Sequence, residues 1–82
     1  MMYQIIWDEK AQEQLLKLDS TLSKRISKKV LELSENPFSK DVKKLKGIFG
    51  YRLRVGDYRV IFDVEKDVIL ILKIGHRKNI YN

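Results

Sequence analysis

Four arginines, one histidine and one tyrosine carry most of the chemical potential of this 82-residue chain: Arg52, Arg54, Arg59, His76, Arg77 and Tyr81. Arginine presents a planar fork of donors that grips a phosphate through paired hydrogen bonds, and it holds its charge firmly. On one strand Arg52 and Arg54 are about 6.6 Å apart, close to the spacing of consecutive backbone phosphates. Histidine is the side-chain type suited to moving protons near neutrality, and His76 is the single one here. It can help to activate a ribose 2′-hydroxyl or to protonate a leaving 5′-oxygen. Tyr81 can stack on a base. Without a second titrating partner, cleavage of a phosphodiester would lean on in-line geometry and on arginines that stabilise the phosphoryl charge. One such donor is worth about 2.7–4 kcal/mol. The competing readings are a solvated charged face, a structural histidine at a strand end and a tyrosine that seals the core edge.

Whether these groups share a surface depends on the elements that carry them. Met2–Trp7 reads as a strand with Tyr3, Ile5 and Trp7 on one side. Asp8 caps a first helix, and Asp19-Ser20-Thr21 breaks the apolar run Ala11, Leu15, Leu18, Leu22 into two helices, the second capped by Asp19 or Ser20. In that second helix Leu22, Ile26, Val30 and Leu33 make one stripe, with Lys24, Arg25, Lys28 and Lys29 largely outside it. Asn36-Pro37 closes it, and 36–50 is a mixed connector. Tyr51–Val55, Tyr58–Val64 and Val68–Ile74 follow as strands, with turns at Gly56-Asp57 and Glu65-Lys66-Asp67.

The twofold period of those strands sets Tyr51, Leu53 and Val55 against Arg52 and Arg54. It also sets Tyr58, Val60, Phe62 and Val64 against Arg59, Ile61 and Asp63. In the last strand Leu70, Leu72 and Ile74 match the apolar set, while Lys73 and Arg77 take the opposite parity. The expected architecture is a two-layer α+β domain over 1–82: an N-terminal strand, a helical hairpin, then a three-stranded antiparallel meander. Helices covering the apolar side would leave Arg52, Arg54, Arg59, Lys73 and Arg77 together on the other. The same parity sends His76 toward the covered side, and a bulge at Gly75 would reverse Arg77.

Composition narrows the function classes. The net charge of +6 lies wholly in residues 42–82, which hold ten basic and four acidic side chains. Such asymmetry favours an anionic partner, either nucleic acid or an acidic protein segment. There is no cysteine, and one histidine without a local carboxylate cluster makes a metal-dependent nuclease a poor expectation. No apolar run has membrane-spanning length, so a soluble cytoplasmic protein without cofactor is expected.

Taken in order, several segments resemble the RelE/ParE toxin superfamily of toxin–antitoxin pairs, its RelE-like branch in particular. They are Tyr3-Gln4-Ile5-Ile6-Trp7 with Ala11, Leu33 through Asn36-Pro37, and Lys44-Leu45-Lys46-Gly47. The most specific are Tyr51-Arg52-Leu53-Arg54, Gly56-Asp57-Tyr58-Arg59-Val60-Ile61-Phe62 and Ile74-Gly75-His76-Arg77-Lys78 with Tyr81. The resemblance implies a microbial-RNase-like fold and a metal-independent endoribonuclease. Such an enzyme enters the A site of the small ribosomal subunit and cuts mRNA to a 2′,3′-cyclic phosphate and a 5′-hydroxyl.

By position, the resemblance puts Arg52 and Arg54 where relatives have lysines. Arg59 falls on the transition-state arginine, Arg77 on the leaving-group arginine and Tyr81 near a stacking tyrosine, while His76 stands at a position that varies between lysine and histidine. Lys43, Lys44, Lys46, Lys73 and Lys78 are further candidate RNA contacts. A RelB-like antitoxin, in a heterotetramer with the toxin, is the implied inhibitor. Two other readings stay open: a ParE-like toxin acting on DNA gyrase, and a non-catalytic RNA- or protein-binding module.

Overall fold

A computed structural model describes residues 2–47 and 50–79. The first strand, β1 (Gln4–Trp7), leads through Asp8 into α1 (Glu9–Leu16), and Asp19 precedes α2 (Ser20–Glu32). Both helices begin as the sequence expects. The Asp8 carboxylate accepts the Lys10 N–H at 3.1 Å, and the Asp19 carboxylate accepts the Leu22 N–H at 3.0 Å. Each bond satisfies a backbone donor that a helix start leaves without a partner, worth about 1 kcal/mol. The second helix ends at Glu32, short of Asn36-Pro37, because the Leu33 N–H tightens onto the Val30 carbonyl at 3.0 Å.

Residues after the helices build four strands: β2 (Val42–Lys44), β3 (Tyr51–Val55), β4 (Tyr58–Glu65) and β5 (Val68–His76). With β1 they form a five-stranded sheet in the order β1-β5-β4-β3-β2. The helical hairpin carries the chain from one sheet edge to the other, and an antiparallel meander walks back until β5 lies parallel to β1. The expected three-stranded meander is therefore four-stranded, and the connector contains a strand. That edge strand is three residues long and two of them are lysines, a composition that blunts an open edge and hides the strand from propensity.

One sheet face packs against the hairpin. Ala11, Ile26, Val30 and Leu33 from the helical side meet Leu53, Val55, Val60, Phe62, Ile69, Ile71 and Ile74 from the sheet, all buried. For β3 and β4 this is the expected parity. In β5 it is not, because a bulge opposite Ile61/Phe62 pairs Ile61 with Lys73 but Phe62 with Ile71. The extra residue, Leu72, shifts the register by one. Ile69 and Ile71 therefore enter the core, while Leu70 moves to the outer face opposite Asp63 and Ile6. Beyond the bulge the expected parity returns, so Ile74 is buried and Lys73 faces outward. Past the end of β1, the Ile74 N–H donates to the Gln14 side-chain oxygen at 2.7 Å, so α1 satisfies a strand that has lost its neighbour. Gly50 is fixed by φ +105° and by space, since a Cβ there would lie 2.6 Å from the Phe62 carbonyl oxygen.

Candidate nucleic-acid interface

On the outer face the cations fall into two neighbouring rows set by strand register. Lys43, Arg52, Ile61 and Lys73 lie side by side across β2, β3, β4 and β5. One step along, Arg54 pairs with Arg59, and Arg59 pairs with Gly75, which adds no side chain beside the guanidinium. Arg77 follows the strand, and its N–H donates to the Asp57 carbonyl at 2.8 Å, so no bulge at Gly75 turns it away.

Arg54, Arg59 and Arg77 line a single open cleft of about 460 Å³ at the β3–β4 turn. Its other walls come from Arg25 and Lys29 of α2, from Asp41, and from the turn residues Gly56 and Asp57. Strand parity alone does not find Arg25 and Lys29. The signal for them was their spacing of four along α2, which puts both on one flank of the Ile26/Val30 stripe, whereas Lys24 and Lys28 lie on its back.

Each cation is held differently. The Arg59 Nη1 donates to the Gly56 and Tyr58 carbonyls, both at 3.0 Å, which fixes the guanidinium over the turn. Arg54 is 3.8 Å from the Asp41 carboxylate, which also lies 4.0 Å from the Lys29 ammonium. Arg77 is 3.8 Å from the Asp57 carboxylate. Both arginine side chains are more than half exposed, at 59% and 57%, so these pairs contribute about 0–1 kcal/mol and orient more than they stabilise. Five basic side chains face two carboxylates, which leaves the cleft strongly cationic and open to an anion.

The remaining expected residues are more scattered. Arg52 and Lys73 are half-buried on the outer face beside the cleft, and Lys43 is exposed at the edge. Lys44 pairs with Tyr51 and takes the opposite parity to Lys43, and Lys46 is exposed beyond β2. His76 takes the covered side as its parity requires. Its ring meets Tyr58 edge-on at 5.4 Å, and its Nδ1 accepts the Lys78 N–H at 3.2 Å. It does not line the cleft. Tyr81 lies outside the described residues. Among the described residues no group of three or more His, Asp or Glu is placed to hold a metal, and no helix is long and apolar enough to cross a membrane.

Residues 5–81 match the family described as ParE toxin of type II toxin-antitoxin system, parDE. The chain belongs to that family. Relatives of this ParE-family chain include proteins named as RelE toxins. It is 44% identical over 50 residues to Toxin RelE3 of Methanocaldococcus jannaschii, covering 60% of this chain and 57% of that protein. It is 32% identical over 83 residues to the mRNA interferase toxin RelE of Escherichia coli strain K12, covering 95% and 86%.

Among solved structures, the RelE–RelB complex from Pyrococcus horikoshii superposes with a TM-score of 0.82 at 32% identity, covering 96% of this chain and 99% of that one. The RelBE2 toxin–antitoxin complex of Mycobacterium tuberculosis reaches a TM-score of 0.84 at 22% identity, covering 94% and 100%. That second likeness concerns the fold alone. The α+β architecture expected from the sequence is thus that of RelE structures.

Proposed function

We propose that this toxin is an endoribonuclease that cuts mRNA in the ribosomal A site, without a metal ion, by attack of a ribose 2′-hydroxyl on the adjacent phosphorus. The products are a 2′,3′-cyclic phosphate and a 5′-hydroxyl end. One observation carries the reading furthest: Arg54 of β3, Arg59 of β4 and Arg77, one residue past β5, converge on one open cleft. As the 2′-oxygen attacks, charge builds on the non-bridging phosphoryl oxygens and then on the leaving 5′-oxygen. Donors already fixed around that charge stabilise the transition state more than the ground state.

Arg59, braced by two carbonyls, suits the phosphoryl oxygens. Arg77 suits the leaving oxygen, Arg54 holds the scissile phosphate beside Arg59, and Arg52 grips the flanking phosphate. Arginine neither accepts nor readily releases a proton at neutral pH, so groups outside this set, supplied on the ribosome, take the 2′-hydroxyl proton and return one to the leaving 5′-oxygen. His76 then serves as a positioning residue that ties down the segment after Arg77 through the Lys78 N–H. Lys43, Lys44, Lys46, Lys73 and Lys78 supply screening charge along the RNA, and Tyr81 stacks on a base.

The partner that silences the toxin is a RelB-like antitoxin whose acidic or amphipathic segment covers the cationic cleft in a heterotetramer. The RelE-named relatives crystallised with RelB support this. A second reading, inhibition of DNA gyrase, is favoured by the ParE description of the family itself. Mapping mRNA 5′ ends after brief expression separates the two. Cuts inside translated codons are expected; DNA damage without such cuts would replace the nuclease by the gyrase inhibitor, and neither outcome would leave a binding module.

A further inference from the structure

Two guanidinium groups from different layers of the molecule converge on one glycine. From β4, the Arg59 Nη1 donates to the Gly56 carbonyl at 3.0 Å. From α2, the Arg25 Nη1 and Nη2 lie 3.4 Å from where a Gly56 Cβ would sit. Gly56 supplies the left-handed backbone of the turn, φ +60°, and the Arg25 guanidinium packs over it. Both guanidiniums line the same open cleft, where an anion between the cations relieves their mutual repulsion. Among the described residues neither Arg25 nor Arg59 has a carboxylate within 4 Å, and whereas Arg59 donates to two carbonyls, Arg25 has no such internal acceptor. Lys29, one turn further along α2, lines the same cleft and is half-exposed.

We propose that Arg25 and Lys29 form a flanking phosphate subsite, so that single-stranded RNA crosses the β3–β4 turn from the outer sheet face onto α2. This rests on the reading of the cleft as an RNA site and adds the path of the strand through it. A sugar–phosphate backbone fits better than a duplex. The cleft bends around the end of the sheet between two layers, and a flexible single strand follows such a bend without distortion of a helix. The backbone leaves the row Lys43, Arg52, Lys73, passes the scissile position at Arg54, Arg59 and Arg77, and places its next phosphate against Arg25 and Lys29.

The test is equilibrium binding of the purified, full-length chain to a 12-nucleotide single-stranded RNA over a series of salt concentrations. Each phosphate contact on a single strand contributes about 0.7 to the slope of log K against log salt. The Arg25→Gln, Lys29→Gln double variant is expected to lower that slope by about 1.4, two such contacts. Lys24→Gln, on the back of α2, is expected to leave it unchanged, and unaltered circular dichroism of both variants excludes loss of the fold as the cause. An unchanged slope in the double variant, with steep salt dependence retained by the original chain, overturns the subsite while leaving the RNA reading intact. Salt-independent or absent binding by the original chain overturns both. Binding to a poly-glutamate peptide of equal length provides the last arm. A double variant that loses the peptide and keeps the RNA assigns this rim to an acidic protein and overturns the proposal.

Discussion

The two ends of β4 carry the same turn with opposite surroundings. At one end Val55 pairs with Tyr58 across Gly56-Asp57, and at the other Glu65 pairs with Val68 across Lys66-Asp67. Each loop has two residues, and the first has positive φ: +60° at Gly56 and +57° at Lys66. Around Gly56 stand Arg25, Arg54, Arg59 and Arg77, whereas around Lys66 stand Asp63, Glu65 and Asp67 beside the apolar Ile6, Val68 and Leu70. The outer sheet face is thus polarised from cationic to acidic along its strands. Backbone geometry alone distinguishes neither end. What makes one of them a candidate site is the arginine on either side of its turn and a helix close enough to add two more cations.

The largest expected effect separates the ends by chemistry. Arg54→Ala should lower ribosome-dependent cleavage by about 10²-fold, the scale of one lost charge-stabilising donor, while Glu65→Gln leaves the rate unchanged. Equal loss in both would mean that polarity of the face is irrelevant.

Next comes stability. Gly56→Ala puts a side chain on a left-handed backbone and should destabilise by about 1–2 kcal/mol in urea unfolding. At the opposite turn, Lys66→Gly relieves the same backbone conformation and should stabilise by about 1 kcal/mol with cleavage unaltered. A stabilised but inactive Lys66→Gly would show that the acidic end takes part in function.

Smaller still, Asp57→Asn frees Arg77 from an exposed pair and should tighten RNA binding by no more than about 1 kcal/mol, roughly fivefold. The smallest effect is at His76→Gln. An amide side chain can still accept the Lys78 N–H, so the shape of the rate–pH profile should not change. A profile that loses a limb would return proton transfer to His76.

Legibility in the sequence divides along similar physical lines. Local signals were readable: Asp8 and Asp19 cap the helices they precede, and Gly56-Asp57 turns the hairpin it interrupts. Alternation sufficed for β3 and β4 because no irregularity intervenes before Ile61. It failed for Leu70 and Leu72 because a bulge is a property of two paired strands, and neither strand alone records it. Val42–Lys44 escaped notice because an edge strand of this length and charge owes its conformation to its neighbour.

Within the site, Arg54, Arg59 and Arg77 followed from parity. Arg25 and Lys29 did not, since cations on a helix flank read equally well as a solvated surface until tertiary packing brings α2 against the turn. Asp41 and Asp57, which orient two of the arginines, are likewise visible only in three dimensions.

Catalysis by the arginine cleft is measured in a reconstituted translation system with a defined mRNA, comparing the original chain with Arg77→Ala. Cuts within the A-site codon that require ribosomes are expected, slowed about 10²-fold or more by the substitution. Intact mRNA with the original chain, or equal cutting by Arg77→Ala, would contradict it.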